Sequence, residues 1–206
     1  MVIAIDGPAG SGKSTVARAV ADALGFTYLD SGAMYRCVAL AAQRGGDEPV
    51  AAVAERVRVQ LGESVLLDGV DVTEAIRDPE ISERASQVAA DPAVRRAMVT
   101  EQRRLLASGD WVAEGRDIGT VVAPHAELKI FLTADPAERA RRRAAQTGAD
   151  FETVLAEQAV RDERDRNRAE SPLRPAEGAT RLDSTGLTLE QVVERIVALT
   201  QSRHTA

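Results

Sequence analysis

Short apolar runs alternate with helix-period segments along most of this chain. Residues 2–5 form an apolar run that stops at a glycine-rich stretch, which predicts a buried strand. Val16, Ala17, Val20, Ala21 and Leu24 recur at helical spacing and predict a helix over 14–24, with Gly25 as its stop. Residues 27–29 predict a short strand, and a helix over about 32–43 closes at Gly45-Gly46.

Residues 49–56 read as helical, and then the period changes. Val57, Val59 and Leu61 alternate, and Val65–Leu67 and Val70–Val72 flank Asp68-Gly69, a strong two-residue hairpin signal. The segment 57–73 therefore predicts a small antiparallel insertion. Helices follow over about 79–89 and 92–107, the second begun by an Asp91 N-cap and Pro92. Residues 111–114 and 128–132 predict the third and fourth core strands, and Asp135-Pro136 starts a helix interrupted near Gly148. A further helix is expected over about 151–168, a fifth core strand from about Thr180 to Asp183, and a last helix capped by Thr188 with Gln191 completing a capping box. Strands alternating with helices predict an α/β fold, a five-stranded parallel sheet with helices on both faces. Disorder is expected only in the last few residues.

The composition narrows this picture. A length of 206 residues suits a single domain with small insertions, spanning 1–206. Aromatic residues make up 3 %, so aliphatic side chains must fill the core. The net charge of −6 gives no sign of a nucleic-acid binder. A single cysteine, Cys37, excludes an intrachain disulfide, and no run approaches the ~20 apolar residues of a membrane span. Residues 2–5 are too short for the apolar part of a signal peptide. A cytoplasmic protein is expected.

The first candidate chemistry is Gly7-Pro8-Ala9-Gly10-Ser11-Gly12-Lys13-Ser14, directly after the first strand. It matches the G-x-x-x-x-G-K-[ST] phosphate-binding loop. Its glycines let backbone N–H groups approach phosphate oxygens, Lys13 can reach the β- and γ-phosphates, and the Ser14 hydroxyl can ligate Mg²⁺. The helix that follows, through Thr15, turns its positive dipole end to the same anion. The chain has only two lysines, Lys13 and Lys129, and one of them fills the position this loop requires.

Three further groups fall where such sheets bind ligands, beyond the carboxyl ends of the strands. Asp30, Ser31 and Arg36 follow the second strand; they read either as site residues or as an N-capped helix with a surface arginine. Glu114-Gly115-Arg116-Asp117 ends the third strand. Here Gly115 permits an unusual backbone conformation, and Glu114 reads either as a water-mediated Mg²⁺ partner or as a carboxylate with a structural partner. Arg161, Asp165 and Arg168, spaced four and three, share one helix face, with Arg164 nearby. That stripe suits an anionic, hydroxyl-bearing ligand; Asp162 and Glu163 leave open a solvated face laced with ion pairs. Taken together, the loop can hold a donor nucleotide and Arg36, Arg116, Arg161 and Arg168 a second phosphate. Phosphoryl transfer asks mainly for such positioning and charge neutralisation.

Asp-Gly-Pro-Ala-Gly-Ser-Gly-Lys-Ser at 6–14, Leu-Asp-Ser-Gly-Ala-Met-Tyr-Arg at 29–36 and Ala-Ser-Gln-Val-Ala-Ala at 85–90 resemble bacterial cytidylate kinases. So do Gly-Arg-Asp-Ile-Gly-Thr-Val-Val at 115–122, Arg-Asp-Glu-Arg-Asp-Arg-Asn-Arg at 161–168 and Asp-Ser-Thr at 183–185. The resemblance implies a P-loop kinase fold and the reaction ATP + CMP ⇌ ADP + CDP, with dCMP also accepted. It implies a donor site formed by residues 7–15 with Mg²⁺ at Ser14. It assigns Ser86, Arg95 and Asp117 to the cytosine base, Ser31, Arg161 and Asp165 to the sugar, and Arg36, Arg116 and Arg168 to the acceptor phosphate. Asp30 joins the acceptor set, and Lys13, Arg116, Arg161 and Arg168 form the catalytic set. An acceptor-binding arm at 31–108 and a lid at 136–170 are implied too, with one of Arg139, Arg142 and Arg143 near ATP. A monomer is expected. The alternatives are a sibling kinase for UMP, AMP or a non-nucleotide acceptor, and a nucleotide-binding switch. Against a GTPase, the chain has no Asn-Lys-x-Asp motif.

Overall fold

The computed structural model describes residues 1–204; the expectation of disorder for the final residues falls partly on 205–206, outside the described residues. In chain order the elements are β1 (Val2–Asp6), α1 (Lys13–Leu24), β2 (Thr27–Asp30), α2 (Ser31–Arg44), α3 (Val50–Arg56), β3 (Val59–Leu61), β4 (Val65–Leu67) and β5 (Val70–Asp71). Then come α4 (Pro79–Val88), α5 (Pro92–Leu105), β6 (Trp111–Gly115), β7 (Leu128–Thr133), α6 (Pro136–Thr147), α7 (Phe151–Arg166), β8 (Thr180–Asp183) and α8 (Leu189–His204). A 3₁₀ turn at Ala75–Arg77 and a π-helical turn at Ile118–Val122 complete the list.

Five strands form one parallel sheet in the order β2-β6-β1-β7-β8. β1 lies at its centre, and Ile3, Ala4, Ile5, Val112, Ala113, Leu128, Ile130 and Leu132 are almost wholly buried. Such continuous apolar runs are what strands covered on both sides require. The pairing puts Asp6 opposite Gly115 on one side and opposite Phe131 on the other. The loops that leave β1 and β6 therefore emerge side by side.

The chain divides into two compact units. The first comprises Met1–Thr27 and Gly109–Ala206; in it α1 packs on β6 and α8, and α6 on α7. The second, Tyr28–Ser108, packs α2 on α4 and α3 on α5, and carries the antiparallel sheet β3-β4-β5. Its β4–β5 hairpin turns at Asp68-Gly69 with φ of +51° and +82°, the left-handed pair that a two-residue turn demands. The α/β sheet with a small antiparallel insertion is the one the pattern predicts.

Local chemistry sets most helix starts. Asp78, Asp91, Asp135 and Asp150 each accept a backbone N–H from the first turn of the helix that follows, and three of these helices have proline there. Thr188 and Gln191 form the expected reciprocal capping box, at 3.0 and 3.3 Å. No described helix is long and apolar enough to cross a membrane.

Candidate functional site

The phosphate loop of the first unit runs from Gly7 to the N-terminus of α1. Gly7 sits against β7: a methyl carbon there would lie 2.0 Å from the Leu132 carbonyl oxygen. Gly12 takes φ of +86° as the residue before α1. Lys13 is buried and donates through Nζ to the Pro8 carbonyl at 2.7 Å. Ser14 Oγ donates to the Glu114 carboxylate at 2.5 Å, joining α1 to β6. The reading of Glu114 as a carboxylate with a structural partner and its reading as a metal partner thus meet in one contact, because both atoms are hard oxygen donors.

At the carboxyl end of β6, Gly115 does not use the conformational freedom that glycine permits. It closes the strand in register with Asp6. The departure from regular backbone comes two residues later, where Asp117 leads into the π-helical turn Ile118–Val122. That turn is held by Asp6, whose two carboxylate oxygens accept the N–H groups of Ile118 and Gly119 at 2.9 and 2.7 Å. Burial nevertheless raises the Asp6 carboxyl to about 7.

The arginine stripe needs one correction. α7 stops at Arg166 rather than continuing to 168, so Arg168 lies past the helix end. The chain folds back there, with the Leu173 N–H on the Asp165 carbonyl at 2.8 Å. Arg168 still pairs with the Asp165 carboxylate, which also accepts from Arg116 Nε at 2.8 Å. Asp165 is 1 % exposed. Burial alone would raise its carboxyl; Arg116, Arg168 and Arg161 together hold it below its ordinary value. Nor is Asp162 part of a solvated face. It is 2 % exposed, pairs with Arg139 at 2.8 Å and accepts the Ala9 N–H at 3.0 Å.

Arg116, Glu114, Arg161 and Asp165 all act on Lys13. Burial pushes its ammonium down to about 7; Arg116 and Arg161 push the same way, while Glu114 and Asp165 oppose them. Lys13, Arg116 and Arg161 are thus crowded cations, and a bound polyanion would relieve their repulsion. Of the arginines expected near the lid, Arg139 is buried on the Ala9 and Ala134 carbonyls, at 2.6 and 3.2 Å. Arg142 reaches Glu138 and both oxygens of Ser184.

The second unit holds the remaining candidates. Asp30 caps α2 by accepting the Ala33 N–H at 2.8 Å and pairs with Arg36 at 3.0 Å. Ser31 is buried in the first turn of α2, and Ser86 is buried on α4. Arg95, on α5, is buried, donates to the Ala89 carbonyl at 3.0 Å and lies 5.6 Å over the Tyr35 ring. Asp6, Asp162 and the anchoring of Arg139 were not foreseen. Among the described residues no cluster of three or more His, Cys, Asp or Glu side chains is placed to hold a metal ion.

Residues 3–202 match the family model described as cytidylate kinase. A cytidylate kinase of Desulfitobacterium hafniense (strain Y51) is 50 % identical over 211 residues, covering 96 % of this chain and 91 % of that protein. A bifunctional pantoate ligase/cytidylate kinase of Prochlorococcus marinus (strain MIT 9313) is 47 % identical over 218 residues, and there 96 % of this chain spans only 43 % of the relative's length. Among solved structures, a gluconokinase from Sinorhizobium meliloti 1021 superposes with a TM-score of 0.56 at 18 % identity, covering 99 % of this chain and 94 % of that one, a likeness of fold. The phosphate loop, the paired carboxylate and arginines behind it, and a family match across nearly the whole chain agree: the chain belongs to the cytidylate kinase family.

Proposed function

We propose that the protein transfers the γ-phosphoryl group of ATP to CMP or dCMP, giving ADP and CDP or dCDP. One observation carries this beyond the family match: burial depresses the Lys13 ammonium, and Arg116 and Arg161 stand close enough to push it further the same way. Three cations around one point suit a phosphoryl group in flight between two phosphates, where charge is spread over several oxygens.

In this reading Gly7, Pro8, Ala9, Gly10, Ser11, Gly12, Lys13, Ser14 and Thr15 cradle the donor. Arg36, Arg116 and Arg168 hold the acceptor phosphate, and Arg161 reaches toward the transferring group. Ser31, Arg161 and Asp165 face the sugar, with Asp30 supporting Arg36. Ser86, Arg95 and Asp117 take the cytosine, whose exocyclic amine a carboxylate can accept and which uracil lacks. Lys13 leaves the Pro8 carbonyl for the donor phosphates. The acceptor phosphate is already ionised, so no general base is needed. Mg²⁺ fits the hard oxygen pair of Ser14 and Glu114, Glu114 acting through water, because this ion keeps most of its ligands from water and substrate phosphates. When bound, it would neutralise charge on the donor phosphates. We infer that the protein works as a cytoplasmic monomer.

The test is ADP formation from ATP and Mg²⁺ with CMP, dCMP, UMP, AMP and GMP compared as acceptors. Turnover favouring CMP and dCMP is expected, and Asp117→Asn should narrow the preference for CMP over UMP. A preference for another monophosphate would overturn the base assignment. Nucleotide binding with no acceptor-dependent ADP would overturn the kinase reading.

A further inference from the structure

Both polar groups of Ala9, at the crest of the phosphate loop, are taken by side chains from α6 and α7. Its N–H donates to Asp162 Oδ1 at 3.0 Å, and its carbonyl accepts from Arg139 Nη1 at 2.6 Å. The two side chains are joined by Arg139 Nη1 to Asp162 Oδ2 at 2.8 Å, and Arg139 Nε is rooted on the Ala134 carbonyl at 3.2 Å, just beyond β7. Gln158, one helical turn before Asp162, donates to the Arg139 carbonyl at 3.4 Å and covers Gly10. A methyl carbon on Gly10 would lie 2.4 Å from Gln158 Nε2. All of these side chains are buried.

We propose that Arg139 and Asp162 are positioning residues for the donor nucleotide, acting as a clamp that fixes the direction of the Ala9 peptide groups and hence of the loop N–H groups after it. The proposal rests on the reading that this loop binds ATP. The physical need is plain. Gly10 takes φ of +72° and has no Cβ, so the peptide between Ala9 and Gly10 has little of its own to stop it from flipping. A flip would turn an N–H away from the phosphates and a carbonyl toward them. Arg139 on the Ala9 carbonyl opposes that rotation directly, while Asp162 fixes the preceding Pro8–Ala9 peptide through the Ala9 N–H and holds the Arg139 guanidinium in place. A buried ion pair does little for net stability compared with apolar packing, so rigidity of the loop is the return on burying these charges. Of the two substrate sites, the clamp makes hydrogen bonds only to the donor loop, so its loss should fall mainly on ATP and largely spare CMP.

The experiment compares the wild-type protein with Asp162→Ala, Asp162→Asn, Arg139→Lys and the double variant Arg139→Ala/Asp162→Ala. KM for ATP and for CMP are measured separately, with kcat, the Kd of ADP by displacement of a fluorescent analogue, and thermal unfolding. Asp162→Ala should raise the KM of ATP and the Kd of ADP about tenfold or more, with the KM of CMP changed less than about twofold. Asp162→Asn keeps an acceptor for the Ala9 N–H and should recover part of the loss. The double variant should be no worse than Asp162→Ala, because the two side chains act as one unit. Unchanged ATP and ADP parameters beside a lowered Tm would overturn the proposal, and so would equal losses for ATP and CMP. If Asp162→Ala does not fold, Asp162→Asn and Arg139→Lys decide by the same readouts. If the wild type makes no CMP-dependent ADP, the kinase reading fails, while the Kd of ADP still tests the clamp.

Discussion

The Lys13 ammonium is held by the Pro8 carbonyl oxygen at 2.7 Å, so the cation of the phosphate loop is restrained by the loop's own backbone. Around it burial is the main force against the charge, and Arg116 and Arg161 add to it, which places its midpoint near pH 7. A nucleotide phosphate restores the charge. Above pH 7 binding must therefore take up a proton, and the Kd of ADP should rise with pH by up to about one decade per unit. Below pH 7 Lys13 is already charged and contributes no slope. The check is a titration of ADP from pH 7 to 9 for the wild type and for Lys13→Met. The variant should bind weakly and lack this slope; a slope common to both would remove Lys13 as its source. Lys13→Ala should fold and lose at least about a hundredfold in kcat.

Asp165 neutralises Arg116 and Arg168 at once. Replacing it with Asn leaves two guanidinium groups short of a counter-charge in a largely buried place, which costs about 3–5 kcal/mol for a broken buried pair. The carboxyl is held below its ordinary value, so its contribution is present above the unfolded value of about 3.9 and is lost as pH falls through the lower folded one. Urea unfolding at pH 7 should show the full gap between wild type and Asp165→Asn, and at pH 3 a smaller one. A gap that does not narrow in acid would mean that packing, not charge, is what Asp165 supplies.

What the sequence made legible was local. The glycine-rich loop, the Asp-Pro helix starts, the Asp68-Gly69 turn and the Thr188–Gln191 box each depend on a few neighbouring residues, and each stands where the pattern puts it. The Asp6 contacts depend instead on register. Ile118 is 112 residues away, and only the pairing of Asp6 with Gly115 brings it near. Asp162 was hidden for another reason. In the charge-dense stretch 161–168 the apolar period is too weak to say which face turns inward, so a buried carboxylate and a solvated one look alike. The same density carried the expected helix on to 168: no breaker stands before Pro172, yet the chain leaves the helix at Asn167 to bring the Leu173 N–H back to Asp165.

Gly7 is fixed by its neighbour's backbone. A methyl carbon there would fall 2.0 Å from the Leu132 carbonyl oxygen, which β7 cannot easily move because it pairs with both β1 and β8. Gly7→Ala should therefore cost about 3 kcal/mol or more and displace the loop, with loss of ADP binding. Gly25 is the control. Its φ is +68°, but nothing lies within 4 Å of the added methyl, so Gly25→Ala should cost only the left-handed backbone term of about 1–2 kcal/mol and leave ADP binding intact. Equal stability losses with ADP binding kept in both would show that conformation alone, and not the close approach to β7, constrains Gly7.

Asp6 should make the protein less stable as pH rises through the acid range. Its carboxyl is raised by burial to about 7; the amides of Ile118 and Gly119 pull the other way but do not prevail, and Asp117 adds to the rise. Between about pH 4 and pH 7 the unfolded chain has released this proton and the folded chain keeps it. Stability from this group is then largest near pH 4, falls up to about pH 7 and is flat beyond. Asp6→Asn cannot ionise, but its side chain has one acceptor oxygen for two amides, so one N–H is left unsatisfied at a cost of about 1–3 kcal/mol. Denaturant unfolding from pH 4.5 to 8.5 should therefore show the wild type ahead of Asp6→Asn by its widest margin at pH 4.5. The margin should shrink to about pH 7 and then hold constant. A margin independent of pH would mean that Asp6 is already ionised across this range and that the two amides outweigh its burial.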